Sequence, residues 1–158
     1  AIKFSRCATG RQKIIYCDHA FHGLTTGSLS LNGADFFRER FGDLLPGTQA
    51  VPFNDLASLE RVLSGKRCAA FIVEPIQGKG VNLADAGYLL EAQRLCRKHG
   101  ALFVADEVQS GMGRTGKFLA VQHEGANIDP DIVVLAKTLS GGFVPVGAVL
   151  CKKWIRFI

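Results

Sequence analysis

The sequence predicts an α/β fold, a mostly parallel sheet with flanking helices, and three observations carry that expectation. Four short apolar runs recur between turn signals: Ile14 to Cys17, Ala69 to Val73, Leu102 to Ala105 and Ile132 to Ala136. They are rich in β-branched or aromatic residues and do not alternate with polar ones, as strands covered on both faces read. Helical patterns lie between them, and alternation of strand and helix implies right-handed crossovers in one sheet. Finally, each run ends on a charged residue: Asp18, Glu74, Asp106 and Lys137.

The opening AIKFSRCATGRQK reads as part of a helix already under way. In the segment from Asp55 to Leu63, Leu56, Leu59, Val62 and Leu63 share one helical face, and Asp55 is the expected N-cap. The segment from Tyr88 runs with helical spacing to Gly100, a natural C-terminal stop. Phe36, Phe37 and Phe41 are most simply the buried face of another helix. The last residues, CKKWIRFI, stop just after a strand-like run, and the whole reads as an excerpt from a longer protein.

At 158 residues and 47% hydrophobic content, the chain can build one domain with a real core. No apolar run approaches the roughly 20 residues of a membrane span, and the start lacks a signal-peptide core. The net charge of +5 is dispersed along the chain, whereas nucleic acid calls for a concentrated basic stripe. Five widely spaced cysteines, mostly in apolar runs, suit reduced thiols of a cytoplasmic or organelle-matrix protein.

Residues 101–118, ALFVADEVQSGMGRTGKF, hold two nucleotide-like signals side by side. An apolar strand ends in Asp106-Glu107, and Gly111 to Lys117 fits G-x-x-x-x-G-K. A phosphate-cradling loop of that kind needs Ser or Thr after its Lys to ligate Mg²⁺, and here Phe118 follows. It also belongs between an apolar strand and a helix, with the acidic strand elsewhere. Nucleotide binding is therefore not expected. Cys17, His19 and His22 form C-x-H-x-x-H, a spacing that matches no standard zinc site, and no metal is expected. Glu107 belongs either to the site or to a salt bridge beneath it.

In a parallel sheet the strands' C-terminal ends share the edge where α/β proteins place ligands. Glu74, Asp106 and Lys137 should therefore converge. A lysine and an aspartate at neighbouring strand ends suit an aldehyde cofactor. The amine forms an imine, and the carboxylate holds a proton on a pyridine nitrogen used as an electron sink. Phe21 and Val108 are candidates for the two ring faces.

At this point the residues become specific. In the segments HAFHGLTTGSLS, FIVEPIQGKGV, LFVADEVQSGMGRTGKF and DPDIVVLAKTLSGGFVPVGAV, the chain resembles class III, or ornithine/acetylornithine-type, pyridoxal-phosphate aminotransferases. Order and approximate spacing match along essentially the whole length. The resemblance implies a fold-type I large domain and pyridoxal 5'-phosphate as cofactor. It implies that Lys137 carries the Schiff base and shuttles a proton, and that Asp106 pairs with the pyridinium nitrogen. Phe21 and Val108 would sandwich the ring and Gln109 would bond its phenolic oxygen. His22 would pack beside the ring or bond the backbone. Glu74 would be a gate residue on the substrate side, paired with an arginine beyond this chain. The alternatives that keep the fold are an aminomutase, or a non-catalytic fragment acting as an interaction module.

The chain also departs from the family pattern. Leu24 stands where many members have an arginine for a substrate carboxylate, and Lys79 and Val81 replace the last part of EPIQGEGG. Leu24 supplies no charge, which favours donors whose amine lies away from a carboxylate, such as ω-amines or diamines, with a 2-oxo acid as acceptor. The resemblance places the phosphate loop before Ala1 and a small domain after Ile158. Residues 1–158 are thus expected to be part of the cofactor-binding large domain, weak in cofactor binding alone and homodimeric when full length.

Overall fold

The computed structural model describes residues 1–156; Phe157 and Ile158, the end of the CKKWIRFI stretch, lie outside the described residues. The order of elements is α1 (Ile2–Thr9), β1 (Lys13–Cys17), α2 (Thr26–Leu29), β2 (Thr48–Val51), α3 (Leu56–Leu63) and β3 (Cys68–Val73). There follow β4 (Ile76–Gln77), β5 (Asn82–Leu83), α4 (Tyr88–His99), β6 (Leu102–Asp106), β7 (Ile132–Leu135) and β8 (Ala148–Cys151). The main sheet runs β2-β1-β3-β6-β7-β8. Its neighbours are parallel except β8, which returns antiparallel to β7.

The four apolar runs are the four central strands. In β1, Ile15 and Cys17 point into one core while Ile14 and Tyr16 point into the other. In β3, Phe71 and Val73 face the first core, and Ala70 and Ile72 the second. That two-sided burial is why these strands show no polar alternation. The first core is closed by α3 and α4 through Leu59, Leu63, Leu89 and Leu95. The second is covered in part by α1 through Ile2, Phe4 and Ala8.

Local signals act as expected. The Asp55 carboxylate accepts the Ser58 amide at 2.9 Å, which satisfies one free donor at the start of α3. Gly100 ends α4 in the left-handed region at φ 68°. After Lys117 no α-helix begins; the chain enters a 3₁₀ turn at Ala120–Glu124, and Lys117 Nζ donates to the Gln122 carbonyl. The glycine-rich stretch is a structural loop.

The phenylalanine cluster is different from expectation. Asp35–Phe37 is a single 3₁₀ turn, Phe36 is 79% exposed and Phe41 is exposed as well. The segment is too short, and too interrupted by Gly42 and Gly47, to present a continuous helical face. Only Phe37 packs inward, edge-on to Phe21 with centroids 5.1 Å apart.

Candidate functional site

Because β1, β3, β6 and β7 are parallel, their C-terminal ends lie on one edge. Val73 pairs with Ala105 and Asp106 with Val134, so the residues following β3 and β7 flank Asp106. A cavity of about 150 Å³ opens at this edge. It is lined by Phe21, His22, Gly23, Glu74, Asp106, Val108, Gln109 and Lys137, which brings together the residues expected at the cofactor and Glu74; Leu24 is not among them and is 64% exposed. Asp18 also ends its strand here but turns away: its carboxylate accepts the Phe53 amide at 2.8 Å.

Asp106 is the fixed point. It is 7% exposed, its Oδ1 accepts the Val108 amide at 3.1 Å, and its Oδ2 lies 2.7 Å from His22 Nδ1. An ionised carboxylate only accepts, so Nδ1 carries the proton of that hydrogen bond. His22 was expected beside the ring or bonded to the backbone; it lines the cavity, and its imidazole bonds Asp106 rather than the backbone. Its Nε2 is buried and has no protein partner.

The loop that carries Phe21 and His22 is held by two side chains. Glu74 Oε2 accepts the Phe21 amide at 2.9 Å and Oε1 accepts the Gly78 amide at 3.1 Å. Burial raises the Glu74 carboxyl above the usual range, and the two amides and His22 partly offset it. An arginine arriving from elsewhere would therefore be a further partner for a carboxylate already engaged. Asn32 supplies the second clamp, accepting the His22 amide at 2.8 Å and donating to the Gly23 carbonyl at 3.0 Å. Sequence reading missed Asn32, since a buried asparagine ten residues away carries no periodic or motif signal.

Glu107 points elsewhere. Buried, it accepts from Ser110 Oγ at 2.7 Å and from the Val121 amide at 2.8 Å, which ties the glycine-rich loop to the sheet. Gly111 permits this closeness, because a Cβ there would lie 2.8 Å from the Glu107 carbonyl oxygen. Glu107 is thus a hydrogen-bonded brace, neither a member of the cavity nor half of a salt bridge.

Lys137 stands at the other end. It follows Ala136 at the start of a 3₁₀ turn, Lys137–Ser140, with φ at 50°. A non-glycine residue in that region stores strain, and such strain collects at functional sites. Its Nζ donates to Gln109 Oε1. The Gln109 side chain in turn lies against Gly78, where a Cβ would be 2.4 Å from Nε2. Among the described residues no three His, Cys, Asp or Glu side chains group as a metal would require.

An amine, a carboxylate braced by an imidazole, an aromatic wall, an aliphatic wall and an amide thus face one small space. That donor set fits a pyridine aldehyde: carboxylate for the ring nitrogen, amine for the aldehyde carbon. The model of the class-III aminotransferase family matches residues 1–156. The chain belongs to the class-III aminotransferases. It is 48% identical over 142 residues to the mitochondrial ornithine aminotransferase of Rattus norvegicus, covering 89% of this chain and 32% of the relative. It is 47% identical over 154 residues to the acetylornithine aminotransferase of Methanopyrus kandleri, covering 97% of this chain and 39% of the relative. Among solved structures, the ornithine aminotransferase of Toxoplasma gondii superposes with a TM-score of 0.90 at 36% identity, over 97% of this chain and 38% of that one. The taurine:2-oxoglutarate aminotransferase of Bifidobacterium kashiwanohense, solved with PLP and glutamate, gives 0.87 at 32% identity, over 98% and 40%. This class-III chain therefore spans well under half the length of these relatives, and its fold matches that part of solved transaminases. No helix among the described residues is long and apolar enough to cross a membrane.

Proposed function

We propose that this chain is the central part of the large domain of an aminotransferase that uses pyridoxal 5'-phosphate to move an amino group from a donor to a 2-oxo acid. The observation that carries the reading is the meeting of Lys137, Asp106, Phe21, Val108 and Gln109, from three separated stretches, on one cavity. Family membership supports it.

When bound, pyridoxal phosphate supplies an electron sink that acidifies the donor's amine-bearing carbon. Asp106 would hold a proton on the ring nitrogen, and His22 fixes the carboxylate's orientation. Lys137 is the amine that would hold the aldehyde carbon and later move the proton at the donor's carbon. Gln109, which already accepts from Lys137, would bond the ring oxygen. Phe21 and Val108 would wall the two ring faces, and Glu74 keeps the Phe21 loop in place on the substrate side. The phosphate would be anchored by segments outside this chain and by a second copy in a homodimer.

Leu24 favours donors whose reacting amine is remote from a carboxylate, because a buried carboxylate without an arginine is costly. Burial raises the thiols of Cys17, Cys68 and Cys96, Cys17 to about 12, which fits unreactive core thiols of a cytoplasmic or matrix protein. Borohydride treatment of the cofactor-loaded holoenzyme, followed by peptide mass mapping, tests the site. The cofactor should be fixed to Lys137; a label on another lysine, or none, rejects the assignment.

A further inference from the structure

We propose that Lys79 is a substrate-selecting cation at the rim of the cavity, which admits substrates with an anionic far end and disfavours a distal ammonium. The inference rests on the aminotransferase reading and deepens it. Lys79 sits in the loop between β4 and β5, directly after Gly78. Gly78 touches the site twice: its amide donates to Glu74 Oε1 at 3.1 Å, and its Cα packs against the Gln109 side chain. The Lys79 ammonium lies 4.5 Å from the centroid of Phe37, whose edge meets Phe21. Lys79 does not itself line the cavity, but two contact paths, one through Gly78 to Gln109 and one through Phe37 to Phe21, link it to residues that do.

The ammonium is exposed and held over an aromatic face, an attraction that leaves its charge uncancelled. Among the described residues it forms no ion pair with a carboxylate. In this proposal a donor with its amine at Lys137 and its chain extended past Gln109 toward Gly78 would turn its far end toward Lys79. There a carboxylate is attracted and a second ammonium repelled. Leu24 and Lys79 therefore act on different ends of the donor. The first removes a clamp for a carboxylate near the reacting carbon, and the second rewards one placed far from it. Diamines become the disfavoured part of the donor class.

Three five-carbon donors separate the far-end charge from everything else: δ-aminovalerate, cadaverine and pentylamine, ending in carboxylate, ammonium and methyl. The donor half-reaction of the holoenzyme is followed by the cofactor's absorbance with no acceptor present. Rates for the first two are expressed relative to pentylamine in the same variant. Exposed charge contacts are each worth about two- to fivefold. Lys79→Glu should consequently shift the δ-aminovalerate/cadaverine ratio by about tenfold toward cadaverine, mainly through KM, and Lys79→Met by less. High salt should shrink the difference. A ratio unchanged within twofold in Lys79→Glu overturns the proposal. Calorimetric titration of valerate gives a reading independent of turnover: weaker binding in Lys79→Met than in wild type is expected, and equal binding overturns the role. If no donor alters the cofactor spectrum, the aminotransferase reading fails while valerate binding still decides Lys79.

Discussion

The two ends of the cavity are built in opposite ways. At the acid end, the Asp106 and His22 side chains are buried, and the loop that carries His22 is clamped by Glu74 and Asn32. At the amine end, Lys137 is exposed on a 3₁₀ turn, and the loop beyond it carries Phe143 at 91% exposure. The acid's position is set by this chain's own core. The lysine's position is set by one strained residue and one hydrogen bond to Gln109. Substitutions at the two ends should therefore separate chemistry from stability.

The largest effect is expected at the amine end. Lys137→Ala should abolish amino transfer in the holoenzyme while leaving the melting temperature nearly unchanged, because an exposed side chain with one partner contributes little to folding. Lys137→Arg keeps the charge but should also fail, since a guanidinium stays protonated and cannot attack an aldehyde. Turnover near wild type in the alanine variant would remove Lys137 from its role.

Next comes the acid end. Asp106→Asn should retain cofactor yet slow the reaction by several orders of magnitude, because a pyridine nitrogen without its proton is a poor electron sink. Spectral titration of the cofactor alongside single-turnover rates separates the two effects. Loss of cofactor with normal rates in the remaining holoenzyme would make Asp106 a structural residue only.

The same contrast explains what could be read from the sequence. Central strands were legible because two-sided burial leaves uninterrupted apolar runs, and their parallel order then forced Glu74, Asp106 and Lys137 onto one edge. Strand β2, Thr48–Val51, was not legible: it is short, half polar and lies at the sheet margin. Nor were the clamps. Asn32 bonds backbone atoms of a loop, and the His22–Asp106 pair joins side chains 84 residues apart, so neither leaves a period in the sequence. The phenylalanines misled because three aromatics close together resemble a buried face unless the local turn geometry is known.

Asn32 gives the intermediate effect. Asn32→Ala removes the partner of the half-buried His22 amide and Gly23 carbonyl, and leaving a buried group unsatisfied costs about 1–3 kcal/mol. A loss of roughly 2 kcal/mol in urea unfolding is expected, with a smaller fall in kcat as His22 loosens its hold on Asp106. A variant as stable as wild type would mean that water replaces both bonds and that the acid end is less rigid than its geometry implies.

The smallest effect compares two strained residues. Lys137 and Val81 both occupy the left-handed region, at φ 50° and 54°. At Lys137 the strain presents a reactive amine; at Val81 it presents a β-branched side chain that is 71% exposed and buries little. Left-handed geometry costs an L-residue about 1–2 kcal/mol, and more for a branched one, whereas glycine adopts it freely. Glycine gives back roughly 0.5–1 kcal/mol through its more flexible unfolded state. Val81→Gly should therefore stabilise the protein by about 1 kcal/mol, read as a rise in Tm. Thermal unfolding of the two proteins, followed in parallel with the donor half-reaction, measures it. A drop in Tm would mean that Val81 makes packing contacts worth more than its strain. A rise in Tm with unchanged chemistry would distinguish idle strain in this hairpin from the strain that Lys137 uses.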